Sequence, residues 1–179
     1  MNGPRLEGAR VGLRPIEPED HARIVEWRNR PDVRRNIYNQ PPLTLDNQKA
    51  WYARYLKDES QVRFLIEAKE SGPAGVCGLT DRRPGEATAM LAVMLGEGAA
   101  RGKGLAREAL ELLLDWGFGP WGLHRVTAEV FAPNEAAIRL YEKIGFVEEG
   151  RLRQAHRDPE TGGFVDVVVM GKLGSKPAK

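Results

Sequence analysis

Across residues 88–116 the hydrophobic period changes once, over a glycine-rich connection, and that change dictates a strand–loop–helix unit. Thr88–Leu95 is apolar almost throughout, the pattern of a strand covered on both faces. Gly96-Glu97-Gly98-Ala99-Ala100-Arg101-Gly102-Lys103-Gly104 follows. Leu105, Ala109, Leu112, Leu113 and Trp116 then recur at helical spacing. Such a step points several backbone N–H groups and the positive end of a helix at one spot, where an anion is held. Glycine matters there because a side chain would keep a phosphate away from those N–H groups. Arg101 and Lys103 add positive charge.

A glycine-rich loop alone has a plain alternative, a tight connection built of small residues. No Lys-Ser/Thr pair follows at P-loop spacing. Gly102-Lys103-Gly104 lacks the third glycine of a dinucleotide fingerprint, because Arg107 stands in its place.

The rest of the chain frames this unit. Residues 10–14 read as a first strand. Glu17-Pro18-Glu19-Asp20 opens a helix that carries Ile24, Val25 and Trp27 and stops near Arg30-Pro31. Thr44 caps a second helix reaching about Leu56. Val62, Phe64 and Ile66 alternate with Arg63 and Glu67, a period of two. A second β run covers residues 75–80, and Asp81, Pro84 and Gly85 mark a hairpin loop before the Thr88–Leu95 strand. After the long helix come a strand at 124–130, a helix at 134–144 ending at Gly145, and two strands around the loop 158–163. One mixed α/β domain spanning residues 1–174, with a loose tail at 175–179, fits a 179-residue chain without repeats.

Composition excludes several classes of function. The chain is 41% apolar and 29% charged, as in ordinary globular domains, and no apolar run reaches the ~18–20 residues of a membrane span. The N-terminus lacks the apolar core of a signal peptide, so a cytoplasmic protein is expected. A net charge of +2 and the lack of a basic–aromatic strand pattern give no nucleic-acid partner. Cys77 is the one cysteine; set in an apolar run, it reads as a buried structural residue. His21, His124 and His156 are scattered, and no metal site is expected.

Two segments resemble the signatures of the GNAT acetyltransferase superfamily. Arg101-x-x-Gly104-x-Ala106 is similar to its Q/R-x-x-G-x-G/A loop. Asn134-Glu135-Ala136-Ala137-Ile138-Arg139-Leu140-Tyr141-Glu142-Lys143-Ile144-Gly145-Phe146 is similar to its N-x-x-A-x-x-x-Y-x-x-x-G-F segment. The resemblance implies an α/β (α+β) fold: a central mixed, mostly antiparallel sheet flanked by helices, its strands splayed at an acetyl-CoA site. It implies transfer of an acetyl group from acetyl-CoA, with no metal, to a small-molecule or peptide amine. Arg101, Gly102, Lys103, Gly104, Leu105 and Ala106 would hold the pyrophosphate, and a main-chain N–H near Met94 or Leu95 the oxyanion. Asn134 would contact the cofactor or merely cap its helix. Tyr141 would protonate the leaving thiolate, the alternative being a core tyrosine.

Many relatives carry a glutamate in the strand before the loop, where this chain has Met90. Methionine accepts no proton. Glu129, acting through water, is the candidate base, ahead of His156 and Glu86. With weak base catalysis, an acceptor of low pKa is expected: a peptide N-terminus or an amino sugar. Within the superfamily, Leu13-Arg14-Pro15, Glu149-Gly150-Arg151-Leu152-Arg153 and Phe164-Val165-Asp166 are similar to the ribosomal-protein N-terminal acetyltransferase-like branch. Trp27, Arg28, Arg34 and Arg153 are candidate acceptor-binding residues. The segment holding Trp27, Arg28 and Arg34 looks like one in acetyltransferases of nucleotide-linked amino sugars, and its arginines suit a diphosphate. The other reading packs Trp27 under the second helix and leaves the arginines solvated. A module that binds acyl-CoA without turnover stays open as an alternative, as does a homodimer.

Overall fold

The computed structural model describes residues 3–38, 41–96, 104–158 and 161–174. Its strands are β1 (Leu6–Glu7), β2 (Val11–Pro15), β3 (Val62–Ala68), β4 (Gly72–Arg83), β5 (Thr88–Leu95), β6 (Arg125–Phe131), β7 (Val147–Arg157) and β8 (Phe164–Leu173). Its helices are α1 (His21–Asn29), α2 (Pro31–Arg34), α3 (Leu45–Tyr55), α4 (Leu105–Phe118) and α5 (Glu135–Lys143). The strands form one sheet in the order β1-β2-β3-β4-β5-β6-β8-β7. Every neighbouring pair is antiparallel except β5–β6, which is parallel. The tail 175–179 lies outside the described residues.

Two apolar layers form because strand side chains alternate between the faces. On one face Val11, Leu13, Phe64, Ile66, Cys77, Leu79, Ala89 and Leu91 meet Ala109, Leu110, Leu113 and Leu114 of α4, and Tyr141 of α5 lies in the same cluster. On the other, Ile16, Ile24, Trp27, Leu65 and Val76 gather with Trp51, Tyr52 and Met94. The sheet therefore has an α4–α5 face and an α1–α3 face. Cys77 is fully buried, and burial pushes its thiol pKa up to about 12, which agrees with an inert structural cysteine.

α1 is pinned by a buried ion pair. Arg14 Nη1 and Nη2 donate to Asp20 Oδ2 and Oδ1 at 2.7 and 2.8 Å. Burial alone would raise the Asp20 pKa, but the Arg14 bond and the Glu17 N–H outweigh it and hold the carboxyl below its usual range. α3 starts at Thr44, whose hydroxyl accepts from the Asn47 N–H at 3.2 Å. Thr44→Ala should therefore lower stability by about 1 kcal/mol. A urea melt showing an unchanged midpoint would contradict that role for the cap.

Several boundaries differ from the sequence reading. Arg30-Pro31 does not simply end a helix: proline suits a first helical turn, and Pro31 starts the short α2. β4 runs on through Asp81 to Arg83, so the hairpin loop expected at 81–85 falls at 84–87 instead; Asp81 takes a φ of 51° at a register shift, a bulge ahead of that turn. β1 carried no recognisable pattern in its two residues.

Candidate active site

The site is a gap in the sheet. β5 and β6 pair only through Thr88↔Arg125, Ala89↔Val126 and Met90↔Thr127. Beyond Met90, β5 continues on β4 to Leu95↔Gly75, while β6 continues on β8 to Phe131↔Val167. The facing backbone groups of the two strands then have no strand partner among the described residues. Unpaired N–H and C=O groups are costly unless a ligand or water bonds them. Gly75 helps to admit the divergence, since a Cβ there would stand 2.4 Å from the Met94 carbonyl oxygen.

α4 begins at the open end of this gap. Gly104 precedes it with φ 75° and ψ 4°, a left-handed conformation suited to glycine. Leu105 and Ala106 form the first turn, whose N–H groups have no partner within the helix. The Glu108 carboxylate does not compete for them: Oε1 accepts from the Arg10 and Val11 N–H groups at 2.7 and 3.3 Å, and Oε2 from Arg10 Nε at 3.1 Å. Arg10 Nη2 lies 3.3 Å from where a Gly104 Cβ would be. A guanidinium thus flanks the helix start, a feature sequence could not show because it joins residues about a hundred positions apart. Arg101, Gly102 and Lys103 lie outside the described residues. The strand gap and the helix start fit an extended thioester carrier with a pyrophosphate: unpaired backbone for its amides, N–H groups and charge for its phosphates.

Tyr141 is 5% exposed and sits among Ile144, Phe146 and the α4 layer. Burial raises its pKa well above the usual phenol value. Its hydroxyl donates to no side chain or carbonyl among the described residues. Asn134 caps α5 through Oδ1, which accepts from the Ala137 N–H at 3.2 Å, so its amide nitrogen remains for another contact. Met94 and Leu95 close β5 beside Gly96.

On the α1–α3 face the arginines divide. Arg30 is a clamp: it donates to both Asp32 oxygens at 3.1 Å and to the Gly96 carbonyl at 2.8 Å. Trp27 is 1% exposed and packs where a Gly96 side chain would stand, 2.0 Å from a built Cβ. It is thus part of the packing that supports the end of β5, not an open surface. Arg28 and Arg34 are half-buried; desolvation and then the Arg34 charge lower the Arg28 pKa. Arg153 is exposed in the irregular part of β7, between Leu152 and His156.

Glu129 lies on β6 and accepts a short hydrogen bond from the Tyr38 hydroxyl. Burial, then Glu129, pushes the Tyr38 pKa up to about 12. His156 is buried and stacked on Phe131 at 3.8 Å, with Tyr38 edge-on at 5.7 Å. Desolvation lowers its pKa, and its Nε2 has no hydrogen-bond partner among the described residues. Tyr38 was not recognisable beforehand, because its partner Glu129 is 91 residues away. Among the described residues no three metal-ligating side chains come together, and no helix is long and apolar enough to cross a membrane.

This arrangement agrees with comparison to known proteins. The family model described as an acetyltransferase (GNAT) domain matches residues 10–147, and the chain belongs to that family. It is therefore an N-acetyltransferase with acetyl-CoA as its donor, not a module without turnover. Spermidine N(1)-acetyltransferase of Escherichia coli (strain K12) is 31% identical over 142 residues, 79% of this chain and 75% of its own length. An uncharacterized N-acetyltransferase, p20, of Bacillus licheniformis is 31% identical over 174 residues, 92% of this chain and 93% of its own. The crystal structure of spermidine N-acetyltransferase from Vibrio cholerae in complex with CoA and spermine superposes with a TM-score of 0.87 at 27% identity, covering 94% of this chain and 98% of that one.

Proposed function

We propose that the β5–β6 gap binds acetyl-CoA and that the acetyl group passes to a primary amine of low pKa arriving from the α1–α3 face. Bound there, the donor supplies an activated acyl group on a thiol leaving group. The observation that carries the reading is the placement of Tyr141 on the α4–α5 side of the gap, opposite α1–α3. The N–H groups of Leu105 and Ala106, with Arg10 beside them and the loop residues Arg101, Gly102, Lys103 and Gly104, hold the pyrophosphate. A main-chain N–H at Met94 or Leu95 stabilises the oxyanion, because a fixed dipole needs no reorganisation as charge develops. The Asn134 amide steadies the carrier. Tyr141, kept protonated by burial, delivers its proton to the departing sulfur.

The amine side is weaker. Met90 lines the α1–α3 face of β5 and accepts no proton. Glu129 has a carboxylate, but it already accepts a hydrogen bond from the Tyr38 hydroxyl. An α-amino group, with a pKa of about 7.7–8.0, is already about a quarter neutral at roughly pH 7.4. A lysine-type amine near 10.4 is neutral only about one time in a thousand there. An acceptor such as a peptide N-terminus or an amino sugar therefore fits this site.

The relatives above that are named for an acceptor are spermidine N-acetyltransferases rather than members of the ribosomal-protein branch, and they favour a second reading, a polyamine acceptor. Thiol release from acetyl-CoA at neutral pH separates the two. We expect an α-amino peptide amide to exceed spermidine and a lysyl peptide with a blocked N-terminus by at least about ten-fold in kcat/KM. Comparable turnover of all three would contradict the low-pKa reading.

A further inference from the structure

We propose that Tyr38 and Glu129 together seat the acceptor amine: Glu129 Oε1 and the Tyr38 phenol oxygen accept hydrogen bonds from the attacking nitrogen. The proposal rests on the amine-transfer reading above and adds the groups that hold the nucleophile.

Of the two strands that wall the gap, β5 carries no carboxylate and β6 carries Glu129 alone. Val126, Ala128 and Val130 of β6 pack into the α4–α5 layer, so Thr127, Glu129 and Phe131 lie on the α1–α3 side. Thr127 makes the last pair with Met90, and Glu129 stands roughly 7 Å further along the strand, inside the gap. Tyr141 lies on the other side of the sheet. A nucleophile at Glu129 and a proton donor at Tyr141 therefore flank the thioester from opposite sides. Glu129 is exposed and Tyr38 is 47% exposed, so both are open to a ligand. The Tyr38 hydroxyl donates to Glu129 Oε2. Oε1, and the phenol oxygen as an acceptor, take nothing from the described residues.

An aromatic floor fixes the pair. His156 stacks on Phe131 with ring centres 3.8 Å apart and planes 7° from parallel. Tyr38 stands edge-on to both, 5.2 Å from Phe131 and 5.7 Å from His156. The chain after α2 is thereby laid against β6, and the phenol reaches the carboxylate. Desolvation lowers the His156 pKa, so the floor adds no charge that would repel an amine. Burial, then Glu129, keeps the phenol protonated at neutral pH, so the bond to Oε2 persists. As the nitrogen bonds to the thioester carbon it gains positive charge. Carboxylate and phenol oxygens already in place lower the energy of that charge without reorganising. The surplus nitrogen proton passes to Oε1 and on to solvent, the carbon–sulfur bond breaks, and Tyr141 protonates the sulfur. This seat acts on an amine that is already neutral, which preserves the preference for a low pKa.

A double-mutant cycle tests this. Tyr38→Phe keeps the edge-on ring and removes the hydroxyl; Glu129→Gln keeps an acceptor for that hydroxyl and removes the charge. Each should lower kcat/KM for the acceptor by about ten-fold or more, chiefly through kcat, with the KM for acetyl-CoA and the thermal midpoint nearly unchanged. In the Glu129→Gln background, Tyr38→Phe should change the acceptor kcat/KM by less than about two-fold, because the two groups act as one seat. The ratios are read on the better acceptor of an α-amino peptide amide and spermidine, so a failure of the low-pKa reading leaves them interpretable. Single variants with the wild-type acceptor kcat/KM overturn the seat. So do losses that multiply in the double variant, or a rise in the KM for acetyl-CoA that accounts for the whole effect.

Discussion

Tyr141→Phe should lower kcat by about 10²–10³-fold while leaving the KM for acetyl-CoA and the thermal midpoint nearly unchanged. The first part follows from general-acid chemistry: a departing thiolate without a positioned proton donor raises the barrier of its own step. The second follows from the environment. The ring fills the α4–α5 layer, which phenylalanine also fills, and the hydroxyl bonds to no described residue. Its removal leaves no orphaned partner, so stability is held or slightly improved. The sign of the pKa shift adds a pH expectation. Because burial raises the Tyr141 pKa above the free phenol value, the proton stays available through alkaline pH, and kcat should show no fall from this group below about pH 10. A variant with unchanged kcat, or one that loses stability and activity together, would show Tyr141 to be a core residue only.

Gly104→Val should raise the KM for acetyl-CoA by about ten-fold or more, with a much smaller effect on kcat at saturation. Gly104 takes φ 75° at the entry to α4. A left-handed conformation costs an L-residue roughly 1–2 kcal/mol, more when β-branched. The new side chain would also press on Arg10, whose Nη2 is 3.3 Å from the Cβ position. The loop relaxes by rotating the N–H groups of Leu105 and Ala106 away from their common focus. Gly104→Asn should retain most of the affinity, because asparagine tolerates the left-handed region. Equal KM values for glycine and valine enzymes would mean that the pyrophosphate is not held at this turn.

Much of the scaffold was legible in the sequence because its signals are local. The bounds of β5, the Thr44 and Asn134 caps, and Gly145 at φ 90° after α5 all follow from a period or a single residue's conformational preference. Motif spacing likewise pointed to Asn134 and Tyr141. What escaped is long-range. The Arg14–Asp20 pair, the Arg10 guanidinium beside Gly104, and Tyr38 on Glu129 exist only once the chain is folded. Of the two readings the sequence left for Trp27, a binding surface and packing under the second helix, its burial with Trp51 and Tyr52 and against Gly96 supports the second. The order β6-β8-β7 was also hidden, because β8 inserts between two strands that precede it in sequence.

The most direct test of the central claim is a crystal structure with CoA bound. The account predicts the carrier threaded between β5 and β6 beyond Met90, its pyrophosphate at the start of α4, and its sulfur within hydrogen-bonding reach of the Tyr141 hydroxyl. CoA bound elsewhere, or a thiol on the α1–α3 side away from Tyr141, would contradict it.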